Sequence, residues 1–143
     1  MIKYIKGDIF NSECAVLVNP VNCVGVMGKG LALEFKNRYP AMFQTYKNVC
    51  YTKELLPGRP MFIKGPNKSV VLFPTKYHWK EKSKIIYIKD GLEAVSHYYK
   101  SFDIKSIAFP KLGCGLGGLD WEEVRPIMEY YLSNLDIEVE IYI

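Results

Sequence analysis

The sequence predicts an α/β sandwich with a mixed sheet, and three observations carry that prediction. Short apolar runs alternate with amphipathic segments along the whole chain. No linker, repeat or low-complexity stretch interrupts them. Two glycine-bearing loops, Val24 to Gly30 and Gly113 to Gly118, each follow a strand-like run, Ala15 to Asn19 and Ser106 to Pro110. Alternation of this kind places helices on a sheet, and 143 residues suit one domain spanning 1–143.

Taken in order, Ile2 to Ile5 and Ala15 to Asn19 read as strands, the second apolar throughout, as in strands buried on both faces. A helix is expected from Gly28 to Arg38, ended at Tyr39-Pro40 because proline disfavours a helical predecessor. Ala41 to Lys47 reads as a second short helix, and Leu56 to Pro60 as a turn. Met61 to Lys64 and Ser69 to Pro74 form a hairpin pattern around Gly65-Pro66-Asn67-Lys68. Ser83 is placed to cap the next helix, whose apolar side carries Tyr87, Ile88, Leu92, Val95, Tyr98 and Tyr99. After the strand Ser106 to Pro110, Asp120 and Glu123 have capping-box spacing. Pro126 predicts that this helix starts late or is distorted in its first turns. Ile137 to Ile143 closes the chain as a strand.

Composition narrows the function classes. An apolar fraction of 49% without a run near the roughly 20 residues of a membrane span predicts a soluble protein. No secretory signal pattern opens the chain, so a cytoplasmic location is expected. Cys14, Cys23, Cys50 and Cys114 are widely spaced and read as reduced thiols. With His78 and His97 they lack zinc-site spacing, and no metal is expected. The net charge of +4 suits an anionic ligand without diagnosing one.

The two loops point to a nucleotide diphosphate, because glycine lets backbone N–H groups approach a phosphate and a following helix adds its positive end. Asn19, Asn22, Thr75 and Lys76 lie at the ends of strand-like runs near them. Asn22 is a candidate for ribose hydroxyls or a base edge, or else a turn asparagine. Asp8 is a candidate acceptor for an adenine amino group, or a turn former. Lys76 ends its strand where partial desolvation can make an amine a nucleophile or base, although most lysines are solvated surface charges. His78 and Trp79 suit a stacking lid, and Lys80, Lys82 and Lys84 suit nucleic-acid phosphates, with a plain amphipathic loop as the alternative. Cys114 has no histidine near it in sequence to activate it. Gly113, Gly115 and Gly118 also satisfy the dinucleotide fingerprint, with Glu138 and Glu140 about twenty residues on. Those acids lie inside the last strand, and no second half remains for a nicotinamide.

Lys6-Gly7-Asp8-Ile9, Asn19-Pro20-Val21-Asn22-Cys23, Met27-Gly28-Lys29-Gly30-Leu31-Ala32, Phe73-Pro74-Thr75-Lys76 and Leu112 to Trp121 together resemble a macrodomain, through nearly the whole chain. Within that family they are similar to the branch of DarG and the terminal ADP-ribose glycohydrolase. The resemblance implies a three-layer α/β/α sandwich with a mixed central sheet and ADP-ribose across the strand ends. It implies that Asp8 and Ile9 take the adenine and Asn22 the distal ribose or modified base. Val26, Gly28, Lys29, Gly30 and Leu31, with Gly113, Cys114, Gly115, Leu116, Gly117 and Gly118, would enclose the phosphates, beside Asn19 and Thr75. Lys76 matches the branch's catalytic lysine, and Asn22 is the second catalytic candidate. Ester-cleaving members carry an aspartate in the second loop where this chain has Gly117, which favours the thymidine-linked substrate.

The implied activity is an ADP-ribosyl hydrolase acting on thymidine in DNA or on protein carboxylate esters, with no cofactor and with an antitoxin role in the DarG branch. A non-catalytic ADP-ribose reader and an ADP-ribose 1″-phosphate phosphatase are the alternatives. Expected partners are ADP-ribose or an ADP-ribosylated macromolecule, including single-stranded DNA, with no membrane and a monomeric chain.

Overall fold

Strand alternation organises the molecule. The computed structural model describes residues 1–143. Six strands, β1 (Ile2–Ile5), β2 (Val16–Val21), β3 (Met61–Ile63), β4 (Ser69–Pro74), β5 (Ser106–Phe109) and β6 (Glu138–Tyr142), form one sheet in the order β1-β6-β5-β2-β4-β3. All neighbours are parallel except the β3–β4 hairpin. The expected mixed sheet is therefore present, with its antiparallel strand at an edge.

Successive side chains of a strand face opposite ways, and both faces here are buried. Leu17, Val70, Leu72 and Ala108 pack under α1 (Gly30–Arg38) and α2 (Pro40–Tyr51), with Phe35, Met42 and Tyr46. Val16, Val18, Val71, Phe73, Ile107 and Phe109 pack under α3 (Ile85–Tyr98) and α4 (Trp121–Leu132), with Ile88, Leu92, Val124 and Met128. The result is the three-layer sandwich that the resemblance implies. Gly91 permits close approach of α3, since a Cβ there would stand 2.4 Å from the Phe73 ring.

Several sequence expectations need correction. Strand β2 runs through Pro20 to Val21, beyond the expected end at Asn19. The Val21 carbonyl accepts the Thr75 N–H at 3.0 Å, so by alternation Pro20 faces the β5 side. Pairing with β5 ends at Leu17, so proline's missing N–H breaks no ladder. Helix α1 starts at Gly30 rather than Gly28, and α2 extends to Tyr51 because Met42, Tyr46 and Cys50 supply a buried stripe. Ser83 does not cap α3: the cap position is Lys84, with no side-chain bond, and Ser83 is buried elsewhere. Asp120 caps α4 by accepting the Glu122 N–H at 3.1 Å, but Glu123 makes no return bond. Pro126 does not delay α4, which starts at Trp121. Burial of Val124, Met128 and Leu132 outweighs the one lost bond. Two short 3₁₀ turns, Ile9–Asn11 and Gly115–Gly117, were not anticipated.

Because β1, β2, β4 and β5 run the same way, the segments after them emerge at one end of the sheet. The chain leaves β2 toward β4, then crosses back to β5 on the other side of β2. Crevices at such a reversal are where open α/β sheets hold ligands. Glu138 opens β6 at the opposite end, away from the Gly113 loop, so the dinucleotide reading loses its acidic partner.

Candidate functional site

Three segments build the site: residues 22–30 after β2, 75–84 after β4, and 110–120 after β5. Asn22 organises the first. Its Oδ1 accepts the Val24 N–H at 3.0 Å, and its Nδ2 donates to the Val26 carbonyl at 2.8 Å. The Tyr46 hydroxyl reaches it from α2, 2.7 Å from Oδ1 and 2.9 Å from the Asn22 carbonyl oxygen. Burial pushes the Tyr46 phenol up from its ordinary value, so it stays a neutral donor. Asn22 is thus buried and held rigidly at the floor of the loop. Sequence reading missed Tyr46, whose helical position looks like any core aromatic.

The loop then enters α1 with free donors. Lys29 at the cap position supplies no side-chain bond, and the first intrahelical acceptor, the Lys29 carbonyl, serves Leu33. The N–H groups of Gly30, Leu31 and Ala32 therefore have no protein acceptor, at the positive end of the helix. Across the crevice, Gly113 and Gly115 take left-handed backbone with φ of 73° and 66°, a conformation that favours glycine. The turn that follows leaves the N–H group of Leu116 without a protein acceptor. The two loops touch: a Cβ on Gly30 would lie 2.9 Å from Leu116 Cδ1. Unpaired N–H donors thus lie on two loops that meet at Gly30 and Leu116, an arrangement suited to a pyrophosphate.

Segment 75–84 joins these loops. The Cys23 N–H donates to the Tyr77 carbonyl at 2.8 Å, tying its start to the first loop. Ser83 ties its end to the second, its N–H donating to the Gly117 carbonyl at 2.8 Å. The Ser83 hydroxyl donates to Thr75 Oγ1 at 3.0 Å, and the Lys84 N–H to the Thr75 carbonyl at 3.1 Å. Thr75 and Ser83 are both buried, so Thr75 braces the frame from beneath. Ser83 was read in the sequence as a helix cap, and its role here had no local signal.

Lys76 follows Thr75 directly. Three lysines are half-buried: Lys36, Lys68 and Lys76. Lys68 donates to the Ser12 carbonyl at 2.7 Å, and Lys36 lies 4.5 Å from the Phe43 ring. Lys76 alone has no hydrogen bond, ion pair or ring contact for its ammonium. Its segment is the one that hydrogen bonds join to both glycine loops, at Cys23 and at Gly117.

The remaining candidates fall at different depths. Asp8 caps the turn Ile9–Asn11, its Oδ1 accepting the Phe10 N–H at 2.9 Å, and its carboxylate is exposed beside buried Ile9. Val26 and Leu116 are exposed at the rim. Asn19 lies beneath the crevice with no exposed surface, its Nδ2 3.8 Å from Met27 Sδ and its Oδ1 without a partner. Burial pushes the Cys114 thiol up, away from the thiolate a nucleophile needs. The four cysteines are unpaired, and no three His, Cys, Asp or Glu side chains converge as metal ligands. No helix is long and apolar enough to cross a membrane. A cleft of about 310 Å³ between the C-terminal ends of α3 and α4, lined by Tyr99, Lys100 and Tyr130, lies away from all three loops.

Comparison with known proteins adds three findings. The Macro domain family model matches residues 18–128. The DNA ADP-ribosyl glycohydrolase of Mycobacterium tuberculosis is 44% identical over 99% of this chain. The chain spans only 42% of that protein's length. The solved macrodomain of M. tuberculosis DarG superposes with a TM-score of 0.95 at 42% identity, covering 99% of this chain and 97% of that one. Thermosipho africanus DarTG, solved in complex with ADP-ribose, gives a TM-score of 0.96 at 42% identity over 99% of this chain and 41% of its own.

Proposed function

The chain belongs to the macrodomain family, and on that basis we propose that it is an ADP-ribosyl hydrolase that removes ADP-ribose from thymidine in DNA. One domain, residues 1–143, carries the proposed site. The observation behind the reading is Lys76, half-buried with no protein partner for its ammonium, in the segment that hydrogen bonds join to both glycine loops. The name of the M. tuberculosis relative and the ADP-ribose in the T. africanus structure support the choice of substrate. Carboxylate-linked ADP-ribose is the secondary substrate class.

In this reading the N–H groups of Gly30, Leu31, Ala32 and Leu116 hold the pyrophosphate, with Val26, Gly28, Lys29, Gly113, Cys114, Gly115, Gly117 and Gly118 around it. Asp8 and Ile9 receive the adenine, and Asn22 orients the distal ribose from the loop floor. Binding far from the reacting carbon then holds that carbon in place. Lys76 acts at the anomeric centre, where the bond to the base breaks, water supplies the new hydroxyl, and the water's other proton ends on the departing base nitrogen. Two roles are open to its amine: attack on the anomeric carbon, giving a lysine adduct that water later releases, or polarisation of the leaving base. Mass spectrometry of the protein quenched during turnover separates them. Asn19 and Thr75 support the site from below.

The test offers wild type and Lys76→Ala three substrates: an ADP-ribosylated thymidine oligonucleotide, a glutamate-linked ADP-ribosylated protein and ADP-ribose 1″-phosphate. Release from DNA is expected, reduced about 10²- to 10⁴-fold in the variant, as for loss of a positioned acid–base or nucleophilic group. ADP-ribose affinity by calorimetry should be nearly unchanged. A variant as active as wild type overturns the assignment, and ADP-ribose binding without release from any substrate makes the protein a reader.

A further inference from the structure

Segment 77–82 is pinned at both ends and presents its middle to solvent. The Tyr77 carbonyl is held by Cys23 and the Ser83 N–H by Gly117. Between them the His78 N–H donates to Glu81 Oε1 at 2.7 Å, and the Lys80 N–H to His78 Nδ1 at 3.1 Å, so the excursion is a folded turn. This turn holds the His78 and Trp79 rings stacked, with centroids 5.4 Å apart and planes 29° from parallel. With His78 on it, Trp79 remains 48% exposed. Lys80 Nζ lies 5.2 Å from the same ring.

Charge follows the aromatics. Between Lys76 and Lys84 the chain carries four lysines and one glutamate, and Lys80, Lys82 and Lys84 are all exposed. Glu81, itself exposed, accepts the His78 N–H, and four lysines stand against this one carboxylate. Exposed π-faces interleaved with cations form the surface that single-stranded nucleic acid takes, bases stacking on rings while phosphates meet ammonium groups. An apolar ligand would gain nothing from the lysines.

We propose that the turn His78 to Lys84 is a docking platform for single-stranded DNA beside the modified nucleotide, with Trp79 stacking a neighbouring base and Lys80 and Lys84 meeting its phosphates. The proposal rests on the hydrolase reading and deepens it: Lys76 opens the segment that carries the platform, so a strand lying on Trp79 leads directly to the crevice.

Two measurements test this. In the first, anisotropy of a labelled, unmodified oligothymidylate of about ten nucleotides, within the usual range of single-strand site sizes, is followed with wild type, Trp79→Ala, Trp79→Phe and Lys80→Gln/Lys84→Gln. Trp79→Ala should weaken binding about tenfold and Trp79→Phe should restore most of it. The double lysine variant should lower the slope of log affinity against log salt by about 0.7 per lysine. In the second, turnover of ADP-ribosylated thymidine is compared in an oligonucleotide and as a mononucleotide. Trp79→Ala should raise KM about tenfold for the oligonucleotide and leave the mononucleotide unchanged. No oligonucleotide binding, binding indifferent to Trp79, or equal loss on both substrates would overturn the platform. The last result would place Trp79 in the ADP-ribose pocket instead. Trp79-dependent binding with neither substrate cleaved supports the platform while removing the hydrolase reading.

Discussion

Ser83 is the residue on which the site's spacing depends. Its hydroxyl occupies the space a side chain at position 117 would need: a Cβ on Gly117 would stand 2.4 Å from Ser83 Oγ and 3.1 Å from Ser83 Cβ. The Gly117 backbone is not in the left-handed region, so the obstacle is steric alone. Gly117→Ala is therefore expected to destabilise the fold by about 1–3 kcal/mol, as overpacking does, and to weaken ADP-ribose binding by displacing the second loop. Ser83→Gly in the same chain should relieve most of both effects, and calorimetry on the single and double variants checks this. Glycine at 117 was legible in the sequence as a loop former. That it is required by a serine 34 positions earlier was not, because nothing local connects Ser83 to Gly117.

At the scale of elements, α4 keeps an exposed proline in its interior, six residues into the helix. Pro126 cannot donate to the Glu122 carbonyl, and its ring crowds that carbonyl. Pro126→Ala is expected to stabilise the protein by about 1–3 kcal/mol after allowance for a freer unfolded chain. The readout is a thermal midpoint higher by several degrees, with unchanged ADP-ribose affinity since α4 points its C-terminal end away from the site. Element existence was well predicted: each expected strand and helix is present, because buried runs and amphipathic periods are local signals. Ends were predicted less well, at Pro20, Gly30 and Tyr51, since each is set by contacts with other elements.

The whole molecule buries ionisable groups in their neutral forms between α2 and the first loop. Burial, the largest cause, pushes the Cys23 thiol up to about 12 from its ordinary 9.0, and the Tyr46 phenol upward as well. An acid whose folded value is raised stabilises the native state below its unfolded value, and that contribution is lost as pH rises through the folded one. The thermal midpoint should thus be insensitive to these groups at neutral pH and fall between pH 9.0 and about 12. Cys23→Ala should flatten part of that fall, as unfolding across a pH series would reveal. The sequence by itself determined the alternation of strands and helices and the two glycine loops, because each is written in spacing along a few consecutive residues. Only the tertiary structure decided that Lys76 is unpartnered, that Tyr46 holds Asn22, that Ser83 links Thr75, next to Lys76, to Gly117, and that Trp79 is exposed beside them. Those facts depend on distant segments meeting at one end of a parallel sheet, and local periodicity carries no record of which side chains meet there.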